Sequence, residues 1–238
     1  MDSVVIDDFD FSLIADFFKR VDRQGPGGER ETLLATSLIP AFDKPIHIAD
    51  MGCGKGSQTF VLADRYDAEI EAVDLLPEMM DGIREQSLRR GMESRVHPVQ
   101  ASMDALPFQR EMFDLIWAEG SIFIMGYEKG LRYWHRFLKP GGFVAVTDCT
   151  WFGKKRPDNM KWIEDNLPEI DTVEHKIGLM EEAGYEPFAH FFLPETCWTK
   201  NYYEPMRPVM DTFLKDHAGE ADAQIFIDRL KEEMAYYE

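Results

Sequence analysis

The chain has 238 residues, 45% of them hydrophobic and 29% charged, a balance that supports a globular core and argues against disorder. Its formal charge of −18 repels polyanions at long range, so nucleic acid and anionic membrane are poor partners. Three scattered cysteines (Cys53, Cys149, Cys197) form no CxxC pair and six histidines show no ligand spacing, so no metal site is expected and a reducing cytoplasm fits. No apolar run approaches the ~20 residues of a membrane span, and acids stand at the N-terminus where a signal peptide needs cations.

In chain order, residues 9–21 and 30–39 read as two cap helices around the loop "RQGPGG" (23–28). Phe11, Ile14, Phe17, Phe18 and Val21 form the core-facing stripe of the first, and the loop is expected to hinge over a ligand. "IHIAD" (46–50) predicts a buried strand, and Ser57 opens a helix over 57–66. "EIEAVD" (69–74) predicts a second strand. The helix after it starts at Pro77 and is closed by Gly91 behind Arg89 and Arg90. "RVHPVQ" (95–100) predicts a third strand whose Pro98 suits an edge, since proline donates no ladder hydrogen bond.

"FDLIWAEG" (113–120) predicts the fourth strand. Tyr127, Leu131, Trp134 and Leu138 then share one helical stripe, which stops at "KPGG" (139–142) before a fifth strand, "FVAVTD" (143–148). Residues 158–166 and 172–183 read as helices, 185–194 as a sixth strand, and everything from 204 onward as helix. This alternation predicts an α/β fold: a Rossmann-like, mostly parallel sheet with helices on both faces and ligands at the carboxyl ends of the strands. The division expected is a helical cap (1–45), a ligand-binding core (46–148) and later insertions (149–238), all in one domain. No final antiparallel strand is found, and a sequence that stops short of the native end is the favoured explanation.

The stretch "ADMGCGKGS" (49–57) poses the functional question. A phosphate-binding GxxxxGK[ST] loop fails, because Gly56 rather than Ser or Thr follows Lys55. The dinucleotide pattern GxGxxG is weakened by Ser57 at its third position, and Asp50 would repel a pyrophosphate. A ligand without phosphate fits best: an acid ending the first strand suits a cationic amino-acid moiety, bare glycines allow close approach, and Asp74 can accept from ribose hydroxyls. A plain tight turn between strand and helix is the duller alternative. Lys55 is expected to face solvent.

Five segments, "IADMGCGKG", "AVDLLPEMM", "ASMDALPF", "FDLIWAEGSIF" and "FLKPGGFVAVTD", in this order and spacing, resemble the class I S-adenosylmethionine-dependent methyltransferases. The small-molecule enzymes of the ubiquinone/menaquinone methyltransferase group are the most similar, and the resemblance covers residues 46–148. It implies S-adenosylmethionine as cofactor and S-adenosylhomocysteine as product. Asp50, Gly52, Gly54 and Gly56 would line the methionine end, Asp74 the ribose, and Leu75 the adenine. Ser102 and Met103 stand where the family's adenine-side acid begins. Glu119 would face the sulfonium and is the first candidate for a general base, with His135 second; a structural contact is the alternative for Glu119.

The acceptor is expected to be an unidentified small molecule. Trp151, Trp198 and Tyr202, with Phe152 and Tyr203, could form an aromatic surface for a flat, apolar or cationic acceptor, or simply pack the late helices. A non-catalytic cofactor-binding regulator and a nicotinamide-dependent oxidoreductase are the competing readings, and a homodimer stays open.

Overall fold

The computed structural model describes residues 11–152 and 161–237. The first residues of two expected helices (9–10 and 158–160) and the last residue, 238, lie outside them. Two cap helices, α1 (Phe11–Phe18) and α2 (Glu29–Leu38), precede β1 (Ile46–Met51), α3 (Ser57–Arg65), β2 (Ala68–Asp74), α4 (Pro77–Arg90), β3 (Val96–Gln100) and β4 (Phe113–Ala118). Then come α5 (Tyr127–Trp134), β5 (Leu138–Val146), β6 (Thr150–Trp151), α6 (Lys161–Asn166), β7 (Asp171–Thr172) and α7 (Val173–Glu182). A short turn α8 (Thr196–Trp198) runs into a π-helical turn at Thr199–Tyr203, followed by α9 (Glu204–Asp216) and α10 (Ala221–Tyr237).

The main sheet has five parallel strands in the order β3-β2-β1-β4-β5, with Ile48 level with Ile70 on one side and Leu115 on the other. β1 and β4 are central and nearly all buried, which is why they read as apolar runs rather than alternations. β3, with Pro98, is an edge strand as expected. Period-2 geometry divides the core. Ile46, Ile48, Leu115 and Trp117 pack on Phe60, Met79, Met80 and Ile83 of α3 and α4, while Ala49, Met51, Ile116 and Ala118 pack on Tyr127, Leu131 and Trp134 of α5. Helices therefore cover both faces.

Three expectations are corrected. The fifth strand starts at Leu138, so "KPGG" lies inside it; a register shift between Phe113 and Leu115 absorbs the irregularity. Residues 185–194 form no strand in the described structure. Pro187 and Pro194 lack donors for a ladder, and the segment is held instead by side chains such as Phe188 on Phe143, with ring centroids 5.8 Å apart. In the α1 stripe Phe17 and Val21 are core, but Phe11 is 43% exposed.

The cap is built across a long sequence gap. Leu13, Phe17 and Val21 pack with Met206, Met210 and Phe213 of α9 and Phe226, Ile227 and Leu230 of α10. Lys55 is not a solvent-facing bystander: its Nζ donates to the carbonyls of Lys19 (3.1 Å) and Val21 (3.0 Å), tying the end of α1 to the glycine loop. A cation at those terminal carbonyls also complements the helix dipole. Lys55→Met is expected to lower stability by about 1–2 kcal/mol in urea unfolding and to speed tryptic cleavage after Arg23. Unchanged stability and cleavage would rule out this tether.

Candidate functional site

The order of the sheet reverses at β1, and an open cleft runs from the carboxyl ends of β1 and β4 along the uncovered side of β5. Its floor is the turn after β1. Gly52 and Gly54 both sit at positive φ (68° and 54°), where a side chain is strained. A Cβ on Gly52 would stand 2.4 Å from Cβ of Ser121, whose hydroxyl donates to the Met51 carbonyl at 2.6 Å. Gly56 is also at positive φ (93°), and a Cβ there would meet Ile83 and Phe60 in the core. Gly52 and Gly54 line the cleft; Gly56 does not.

Asp50 also lies behind the lining. It is fully buried and accepts from Thr59 (2.6 Å) and Gln58 (3.1 Å) of α3, because position 50 shares the sheet face of Ile46 and Ile48. Burial, followed by the nearby charges of Glu119 and Asp74, pushes its carboxyl up to about 7 against the two hydrogen bonds. An acid whose pKa rises from 3.8 to about 7 on folding adds stability that is full below about pH 4 and lost as pH climbs to about 7. That loss is on the order of 4 kcal/mol. Asp50→Asn should flatten the stability–pH profile across this window, measured by urea unfolding at both ends; an unchanged slope would contradict the burial argument.

Asp74, at the end of β2, accepts from the backbone N–H of Gly54 and of Leu76, both at 3.0 Å. Burial raises its pKa, opposed by those amides. Leu75 beside it is 48% exposed and lines the cleft, as do Ser102 and Met103. Ser102 donates to Asp104 at 2.6 Å, and the Met103 carbonyl accepts from the Trp134 indole at 3.0 Å, which fixes this wall.

Glu119, one residue past β4, is the hub. One oxygen accepts from Arg23 at 2.6 Å; the other accepts from the Thr32 hydroxyl at 2.6 Å and the Trp117 indole at 2.9 Å. Arg23 and Glu119 side chains are only 14% and 7% exposed. The loop carrying Arg23 also lies on the floor: Gln24 accepts from the Lys55 amide at 2.9 Å, and Pro26 packs near Gly120. None of Arg23, Gln24 and Thr32 was identifiable from sequence as part of a site, since each acts across a long sequence separation. The only signal was the unusual "RQGPGG" itself. His135 sits at the opposite pole, exposed beside the start of β5 with its ring 5.1 Å from Tyr185.

Trp198, Tyr202 and Trp151 line the same cleft. Trp151 and Tyr202 are buried, and the segment of Trp198 is tied to the Arg23 loop: Gly27 N–H donates to the Cys197 carbonyl, and Asn201 donates to the Gly27 carbonyl at 2.7 Å. Phe152 is 77% exposed and stands against Phe192.

The floor suits an elongated ligand carrying positive charge: a glycine turn that a single Cβ would obstruct, with acidic groups in and behind it and no phosphate-binding pattern. A family model described as "Methyltransferase domain" matches residues 48–142, which span this floor and the wall at Ser102 and Met103. The chain is an S-adenosylmethionine-dependent methyltransferase with a Rossmann-like fold. Its cofactor is S-adenosylmethionine, and the glycine cradle and acidic surroundings fit that sulfonium-bearing group.

This methyltransferase is 28% identical over 206 residues to the sarcosine/dimethylglycine N-methyltransferase of Halorhodospira halochloris, covering 85% of this chain and 71% of that one. It is 30% identical to methyltransferase GfsG of Streptomyces halstedii over 70% of this chain and 62% of that protein. The fold matches the S-adenosylmethionine-dependent methyltransferase of Geobacter sulfurreducens, solved with S-adenosyl-L-homocysteine, at a TM-score of 0.78 and 14% identity over 95% and 91% of the two chains. Among the described residues no helix of the methyltransferase is long and apolar enough to cross a membrane. Its acceptor is a small molecule.

Proposed function

We propose that the methionine end of the cofactor lies over Gly52 and Gly54, its ribose by Asp74, and its adenine between Leu75 and the Ser102–Met103 wall. When bound, S-adenosylmethionine supplies a methyl group activated on a sulfonium. The supporting observation is that Gly52, Gly54, Asp74, Leu75, Ser102, Met103 and Glu119 all stand at or just past the carboxyl ends of β1 to β4 and line the cleft there. Asp74 would exchange one of its two backbone amide partners, or share it, with ribose hydroxyls. Asp50 acts from behind, as a buried acid ready to ionise beside positive charge.

Glu119 serves in this reading as a positioning residue rather than as a base. Both its oxygens already hold partners, and Arg23 keeps one of them in an ion pair. It latches the 23–28 loop over the cofactor, so that acceptor and methyl are held together with water excluded. Residues 1–238 would act as a single domain in the cytoplasm, with the acidic charge disfavouring nucleic acid as a substrate.

Methyl transfer from radiolabelled S-adenosylmethionine into a metabolite extract, counted by scintillation, tests this function. Time-dependent incorporation that Asp74→Ala abolishes is expected. Tight S-adenosylhomocysteine binding without incorporation into any fraction would mark a binding protein instead.

A further inference from the structure

The cleft has a second wall that no cofactor contact explains. At the carboxyl side of β5 the rings of Trp198, Tyr202, Tyr203 and Tyr237 form one surface. Trp198 stacks on Tyr237 at 5.0 Å, Tyr202 lies 5.3 Å from Tyr203, and Tyr203 lies 5.9 Å from Tyr237. The π-helical turn at Thr199–Tyr203 allows the two consecutive tyrosines both to turn inward, which a regular helix disfavours. In this aromatic wall stands a single carboxylate, Glu233 of α10. Its one hydrogen-bond partner among the described residues is the Tyr203 hydroxyl at 3.0 Å, and no Lys, Arg or His there forms an ion pair with it. Of the cations lining this side of the cleft, Lys176 is committed to Asp148 at 2.5 Å, and Arg229, one turn before Glu233 on α10, has an interaction of its own.

A half-buried carboxylate with no counter-charge among the described residues is costly to desolvate unless a cation comes to it. Electron-rich ring faces attract cations as well. We propose that this wall, Glu233 with Trp198, Tyr202, Tyr203 and Tyr237, binds the ammonium group of the acceptor, so that the methyltransferase acts on an aliphatic amine. The inference rests on the function proposed above and names its substrate class. Burial holds the Glu233 carboxyl above its ordinary range, against the Tyr203 hydrogen bond, which makes it a better proton acceptor than an exposed carboxylate. The N–H bond of the ammonium breaks, the O–H bond of Glu233 forms, and the amine is left neutral with its lone pair free to attack. A phenol or carboxylic acid would gain nothing from this wall, and an anionic acceptor would be repelled.

Titrating the chain, saturated with S-adenosylhomocysteine, with tetramethylammonium by calorimetry isolates the wall from turnover. Binding is expected, weakened at least ~10-fold in Glu233→Gln and about 3-fold or more in Tyr237→Leu, whose ring is at the exposed lip. S-adenosylhomocysteine affinity should stay within about 2-fold in both. A parallel panel of primary, secondary and tertiary alkylamines should give S-adenosylhomocysteine release, where phenols and carboxylates of similar size do not. No tetramethylammonium binding, an affinity indifferent to both variants, or turnover on oxygen acceptors alone overturns the amine assignment while leaving the methyltransferase reading standing. Loss of S-adenosylhomocysteine binding by the unaltered chain would instead overturn the cofactor placement beneath it.

Discussion

Gly52→Ala is expected to weaken S-adenosylhomocysteine binding at least ~100-fold, about 2.7 kcal/mol, in a chain that still folds. Two independent costs converge at this position. The backbone sits at φ 68°, which an alanine adopts at a cost of roughly 1–2 kcal/mol. The new Cβ would then stand 2.4 Å from the Ser121 Cβ, far inside contact distance. Ser121 cannot simply swing away, because moving it breaks its hydrogen bond to the Met51 carbonyl at the end of β1. Strain is relieved by shifting the β1 turn or the segment after β4, and both border the proposed cofactor site. Calorimetry with S-adenosylhomocysteine, with thermal unfolding alongside, reads the two effects separately. An alanine variant that binds as well as the original chain would mean that the turn does not form the cofactor floor.

Glu119→Gln is the second large effect. The substitution leaves the Arg23 guanidinium, only 14% exposed, without its counter-charge, and breaking such a pair costs about 3–5 kcal/mol. Glutamine can still accept from Thr32 or Trp117, so the damage is concentrated on the Arg23 loop. Methyl transfer should fall at least ~100-fold as the latch opens, since misplacement alone costs that much in a positioning mechanism. Adding Arg23→Met should restore part of the lost stability, because the stranded charge is removed with its partner. A base role makes a different expectation: kcat falls, stability holds, and Arg23→Met rescues nothing.

The sheet was readable because its signals are local. Continuous apolar runs at 46–50 and 113–118 mark strands buried on both faces, Pro98 marks an edge, and Gly91 ends α4 in the left-handed conformation it alone takes cheaply. The turn proposed as the cofactor floor carries a local signal too, since its glycines and the acids at strand ends lie in one short stretch of each βα unit. The cap was not. Whether Lys55 meets solvent or the carbonyls of Lys19 and Val21 depends on how α1 docks, and nothing within 30 residues of Lys55 encodes that. Glu119 was placed correctly at a strand end, yet its partners Arg23 and Thr32 lie 96 and 87 residues away. The sixth strand misled because 185–194 has a strand's composition, while its prolines deny it ladder donors and aromatic packing takes their place.

One titration bears most directly on the account: S-adenosylhomocysteine and NADH, side by side, into the unaltered chain and into Asp74→Ala. The expected result is one-to-one binding of S-adenosylhomocysteine that Asp74→Ala sharply weakens, and no measurable heat from NADH. Tight NADH binding, or S-adenosylhomocysteine binding indifferent to Asp74, would contradict the placement of the cofactor at the carboxyl ends of β1 and β2.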